Sequence, residues 1–198
     1  MWLFLVTEFM FFGGLFLAYF IYRSEHADDF AAGGHSMNVW LGTINTAVLL
    51  TSSLTMALAV DAAHHGRRQA LMGLLGATIA LGVVFLAIKT HEYQHKYHEH
   101  FIPFAGLPLS EELQGRPGMI TFLNLYFLMT GLHAFHMVIG IGLLLVLVAL
   151  AWRGRLPAER AVVVHNAGLY WHFVDLVWVY LFPFFYLIAA HPGGSSAG

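Results

Sequence analysis

Residues 170–186 read YWHFVDLVWVYLFPFFY, and their reading decides the class of the chain. The segment is aromatic and apolar almost throughout, yet it holds His172 and Asp175 near its start. Three residues apart, the two share one face of a helix. The apolar run 169–190 that contains them has the length of about twenty residues that a bilayer span needs. An ionisable group inside a span costs about 2.5–3.5 kcal/mol on insertion scales, so it turns toward protein or water, not lipid.

The rest of the chain repeats this pattern. Of 198 residues 59% are hydrophobic and 10% charged, and the mean hydropathy is +0.69. A soluble domain carries about 25% charged residues, so the composition is that of a polytopic membrane protein. A net charge of −2 leaves no electrostatic footprint for nucleic acid. The absence of cysteine excludes c-type haem attachment, cysteine-ligated iron–sulfur clusters, thiolate copper and disulfides. Histidine, at 13 residues, is the unusual abundance. The opening segment is too long for a secretory signal, and it lacks a basic leader and a small-residue cleavage site.

Hydropathy and turn residues give an all-α fold: a polytopic helix bundle with five transmembrane spans at about 1–22, 39–60, 71–92, 120–151 and 169–190. The whole chain, 1–198, reads as a single membrane domain. The segment 23–38 reads as a polar loop. Small residues that would let helices approach are Gly14 and Ala18, then Ala47, Thr51, Thr55 and Ala59 at every fourth position, then Gly73, Ala77 and Ala80. Trp40, Trp152 and Trp171 read as interfacial tryptophans. Arg67, Arg68, Arg153, Arg155 and Arg160 fall in the short loops after spans two and four, whereas the opposite side has Arg23 and the longer loop with Lys96 and Arg116. The positive-inside rule places the N-terminus in the cytoplasm and the C-terminus outside. Glu25, Asp28, Asp29, Glu111 and Glu112 then form an acidic outer side, read as a solvated surface.

Three groups of residues could carry chemistry. Glu8 lies in the first span, about 10 Å along the helix from its cytoplasmic end; it reads as a proton-exchanging carboxylate or as an interfacial one. His133 and His136 in the fourth span, with His172 and Asp175 in the fifth, read either as haem or metal ligands on facing helices or as interhelical polar contacts. The second reading is favoured, because His133 lies near mid-helix and His172 near a helix start. The run HEYQHKYHEH at 91–100 places His91, His95 and His98 on one helical face, with Glu92 and Glu99 as further oxygen donors. It matches no fixed metal motif.

Several of these residues carry a family resemblance. Residues 130–140, TGLHAFHMVIG, and residues 170–178, YWHFVDLVW, resemble signatures of subunit III of haem–copper oxidases of the cytochrome c oxidase type. Residues 7–14, TEFMFFGG, are similar to the opening of that family's third helix, and Asn45, Thr46, Glu92 and Tyr93 match further positions. Longer members have seven spans, and this chain looks like the last five, as in shorter bacterial forms. The two helices of the longer members help form a lipid-holding cleft, so phospholipid binding is in question here.

The resemblance implies a non-catalytic core subunit in a bacterial plasma membrane. It would bind no haem or copper itself and pack beside the catalytic subunit I, with subunit II, other membrane subunits and a respiratory supercomplex as further partners. It implies that Glu8 supports proton uptake and that His133, His136, His172 and Asp175 serve helix packing. The competing readings are a haem-binding electron carrier or enzyme using His133 or His136 with His172, a metal-handling protein using His91, His95 and His98, and the related nitric-oxide-reductase accessory protein.

Overall fold

The computed structural model describes residues 2–98, 113, 115–154 and 161–188. Glu99, His100, Glu111, Glu112, Arg155 and Arg160 lie outside the described residues. Six α-helices follow in order: α1 (Trp2–Glu25), α2 (Ala27–His35), α3 (Val39–His64), α4 (Arg68–His98), α5 (Pro117–Trp152) and α6 (Ala161–Phe182), the last continuing as a π-turn (Pro183–Ile188). The described residues contain no strand. Among the described residues five helices are long and apolar enough to cross a membrane, with α6 and its π-turn counted as one, and the chain is an integral membrane protein.

Local sequence sets the helix ends. Asn38 caps α3 by accepting a hydrogen bond from the Leu41 amide at 3.2 Å. Pro117 opens α5, where its missing N–H costs nothing. Gly66 and Gly154, at φ +65° and +68°, allow the chain to reverse after α3 and α5. The Arg68 guanidinium donates to the Trp152 carbonyl, which ties the α3–α4 turn to the end of α5. That end of the bundle, with the start of α1, is here the N-face. The opposite end, the C-face, carries α2, the start of α3 and the end of α4.

Helices α3, α4, α5 and α6 pack in sequence around a shared core, and α1 leans on α5 and α6. The packing ridge of α3 is Gly42, Asn45, Leu49, Ser52, Met56 and Ala59. The expected every-fourth row holds in part: Ala59 is buried and the Thr55 hydroxyl bonds that of Thr78 at 2.8 Å, whereas Ala47 and Thr51 are exposed. Four residues turn a helix about 40° past one full revolution, so such a row drifts off the contact face. Gly14 and Gly73 likewise face no neighbour. The close approaches occur elsewhere. Trp171 fills the space beside Gly82 and Gly140, where an added Cβ would lie 2.9 and 3.0 Å from its ring.

Three further expectations are corrected. The segment 23–38 is not a plain loop, since α2 folds there and buries Phe30, Ala31, Gly33 and Gly34. Asp29 from α2 is not only surface: its Oδ2 accepts from the Gly118 amide at 3.1 Å, satisfying an open donor at the start of α5. The last helix starts at Ala161, eight residues before the expected 169, so Trp171 lies deep in the core at 1% exposure. Trp40 and Trp152 are exposed at helix ends.

Candidate functional site

Glu8 on α1 meets His136 on α5: Nε2 of the imidazole lies 3.2 Å from Oε2 of the carboxylate. The other ring nitrogen, Nδ1, is 2.8 Å from the Leu132 carbonyl. A carbonyl can only accept, so Nδ1 carries the hydrogen and Nε2 is the atom left to face Glu8. Oε2 of Glu8 is buried and makes no hydrogen bond of good geometry, so the two groups form a close carboxylate–imidazole contact. Phe12 packs edge-on to the imidazole at 5.7 Å, and the Tyr170 hydroxyl donates to the His136 carbonyl at 3.0 Å. The side chains of Glu8 and His136 keep 19% and 13% exposure, so this pair is partly open at the margin of the bundle.

A second cluster lies toward the C-face. Lys89 Nζ donates to Glu92 Oε2 at 2.9 Å, to Tyr126 at 3.0 Å and to Tyr186 at 2.7 Å. Tyr126 and Tyr186 in turn donate to Glu92 Oε1 at 2.9 and 2.6 Å. The ammonium also lies 4.7 Å from the Trp178 ring centroid, within cation–π range. The π-turn after Pro183 brings Tyr186 into this cluster, and the Tyr93 and Thr130 hydroxyls bond beside it. Lys89 and Glu92 are 5% and 4% exposed, and every charge has a partner. The sequence reading placed both residues at the edge of a loop; their spacing of three on a helix, both turned inward, was the available signal.

The remaining histidines diverge. His133, 1% exposed, packs against Phe85 at 5.4 Å and Trp178 at 5.4 Å, and neither ring nitrogen has a hydrogen-bond partner. His172 turns to α3, where its Nδ1 is 2.7 Å from the Ser53 hydroxyl. Asp175 is 4% exposed, and neither carboxylate oxygen makes a hydrogen bond of good geometry; Ser53 is its polar neighbour. His133, His136 and His172 therefore address different helices. A haem held by two imidazoles needs them to face one another, and this arrangement does not provide that.

The run 91–98 is the final two turns of α4, not a loop. His91 and His95 line a cleft of about 610 Å³ with Ser36, Asn38, Glu92 and Lys96, while His98 is not among its lining residues. Glu92 is engaged by Lys89 and the two tyrosines, and Lys96 donates to the Ser36 carbonyl at 2.6 Å. Among the described residues, no three of His, Asp and Glu gather as a metal-binding group.

Comparison with known proteins fits these features into one lineage. The family model described as cytochrome c oxidase subunit III matches residues 1–190. The cytochrome bo(3) ubiquinol oxidase subunit 3 of Pseudomonas aeruginosa is 30% identical over 189 residues, covering 96% of this chain and 83% of the relative. The cytochrome c oxidase subunit 3 of Synechocystis is 33% identical over 190 residues, covering 94% and 73%. The haem–copper oxidase subunit I+III of Aeropyrum pernix is 31% identical over 197 residues, covering 95% of this chain and 22% of its own length. With a match that runs from the Glu8 helix through the π-turn after α6, the chain belongs to the cytochrome c oxidase subunit III family.

Proposed function

We propose that this chain is the non-catalytic third subunit of a haem–copper terminal oxidase in a bacterial plasma membrane. The observation that carries this reading is the family match over residues 1–190. It binds no haem or copper itself; the metal centres belong to partner subunits. A relative whose name joins subunits I and III supports a catalytic subunit I as its direct neighbour. Subunit II, other membrane subunits and membrane phospholipid complete its surroundings. The chain acts as one membrane domain, with its N-face cytoplasmic. That orientation is supported by Arg67, Arg68 and Arg153 at the N-face.

In this frame Glu8 supports proton uptake from the cytoplasmic side, and His136 is its partner. The carboxylate receives a proton and passes it to Nε2 or back, while the Leu132 carbonyl holds the ring in place. His133, His172 and Asp175 act in helix packing, and His91, His95 and His98 have no metal role.

The test is purification through a tag on this chain in mild detergent, with a visible spectrum and subunit masses. Expected is a haem-bearing membrane partner whose bands leave when the chain is separated from it. A haem band that stays with the isolated chain would overturn the proposal and return His133, His136 and His172 as ligands.

A further inference from the structure

Three polar side chains in the core make no hydrogen bond of good geometry, and of these Asp175 has Ser53 as a polar neighbour. Asn45 is 0% exposed, His133 1% and Asp175 4%. Both amide atoms, both ring nitrogens and both carboxylate oxygens lack a hydrogen-bond partner, six atoms on three helices. At bilayer depth no external solvent reaches them, and a buried polar group without a bond is costly enough to be rare.

Trp178 is the ring against which His133 packs. Its Nε1 donates at 3.1 Å to Thr46, the residue next to Asn45. Its ring lies 5.4 Å from that of His133, and Phe85 touches both rings, at 5.4 and 4.8 Å. Asp175 precedes it by three residues on α6. The chemistry needed is narrow. Asn45 both donates and accepts, and an imidazole with one N–H does each once. The ammonium of Lys89, 4.7 Å from the centre of the Trp178 ring, disfavours a second cation. What remains is a small neutral molecule that donates and accepts.

We propose that an ordered cluster of water molecules is bound in the core beside Trp178, hydrogen-bonded to Asn45 and His133 and extending to Asp175. Buried waters of this kind make about three hydrogen bonds each to groups left unsatisfied by the protein. The cluster lies between the two charged groups described above. Along α5, His136 and Tyr126 are ten residues apart, about 15 Å, with His133 and Thr130 between them. This assignment requires neither the proton role of Glu8 nor the oxidase partner.

The test is radiolytic hydroxyl-radical labelling of the intact complex by short X-ray pulses, read by mass spectrometry. Radicals form from water in place, so labelling reports bound water next to a buried side chain. Trp171 is the internal control: it is equally buried, its Nε1 donates to Ser52 at 3.1 Å, and glycine backbones pack its ring. Trp178 is expected to label about tenfold faster than Trp171, as bound water in contact would cause. In the Asn45→Leu/His133→Phe double variant its rate should fall to that of Trp171. Equal rates in the unaltered protein, or a fast rate that persists in the double variant, would overturn the proposal. If the double variant does not assemble, a cryo-electron density map of the unaltered complex that shows waters decides. Density within hydrogen-bond distance of Asn45 and His133 supports the cluster; direct bonds from both to protein, with no such density, would contradict it.

Discussion

The Lys89–Glu92 cluster and the Glu8–His136 pair are both carboxylates paired with a basic side chain at membrane depth, and they are built oppositely. Glu92 receives Lys89, Tyr126 and Tyr186 and sits behind a wall of aromatic rings. Glu8 has one basic neighbour and stays partly exposed. The bonds of Lys89 and Glu92 to Tyr126 and Tyr186 tie α4, α5 and the π-turn together. Glu8 and His136, partly open at the margin of the bundle, are the pair to which the proposed proton exchange is assigned. The contrast separates a buried charge that holds helices together from one whose bonding is left incomplete, where chemistry is to be sought.

The largest effect is expected from breaking the closed cluster. Glu92→Ala leaves the Lys89 ammonium buried and unpaired, which costs about 3–5 kcal/mol. Thermal unfolding in detergent should show a large drop or loss of assembled protein. The double replacement Lys89→Met/Glu92→Leu removes both charges and should recover most of that loss, because an apolar pair of similar volume is often neutral. A double variant as unstable as the single one would mean that the cluster acts through more than its charges.

A smaller loss is expected at Gly140. Gly140→Val would drive a side chain into Trp171, whose ring lies 3.0 Å from the position of an added Cβ. Overpacking of this kind costs about 1–3 kcal/mol. Gly73→Val is its control, since nothing lies within 4 Å of the Cβ position there. The two variants should separate clearly in thermal midpoint.

Tyr186→Phe removes a hydrogen bond to the Glu92 carboxylate and an acceptor for Lys89, worth about 1.5–3 kcal/mol for a bond to a charged group. The smallest structural effect is expected at Ser53. Ser53→Ala removes the bond to His172, and interhelical bonds in membranes average about 0.6 kcal/mol. If Ser53→Ala proved as damaging as Tyr186→Phe, the distinction between closed cluster and ordinary helix contact would fail.

Much of this arrangement was legible in the sequence. Hydropathy alone marks five spans, because the bilayer sets a length that few soluble helices reach. The signatures at 130–140 and 170–178 pointed to the family, and Glu8 stood out as the charged residue of an apolar first span. What stayed hidden depends on rotation and on distant partners. The α3 ridge follows the 3.6-residue period, not the fourth-residue row that a scan for small residues picks out. Helix α2 is short and polar in composition, so only its docking on α5 reveals Phe30 and Asp29 as packed. Lys89 and Glu92 looked like the end of a span because charge ordinarily marks the interface. Their partners, Tyr126 and Tyr186, lie 37 and 97 residues from Lys89, and no local pattern joins them.

The most direct measurement takes two variants of the same complex, Glu8→Gln and Glu92→Gln, and reads thermal midpoint and the rate of proton uptake on each. The account expects Glu8→Gln to assemble with an unchanged midpoint and to take up protons more slowly, while Glu92→Gln lowers the midpoint. Uptake at the unaltered rate in Glu8→Gln, with the complex intact, would contradict the assignment of Glu8 and His136 as the proton-exchanging pair.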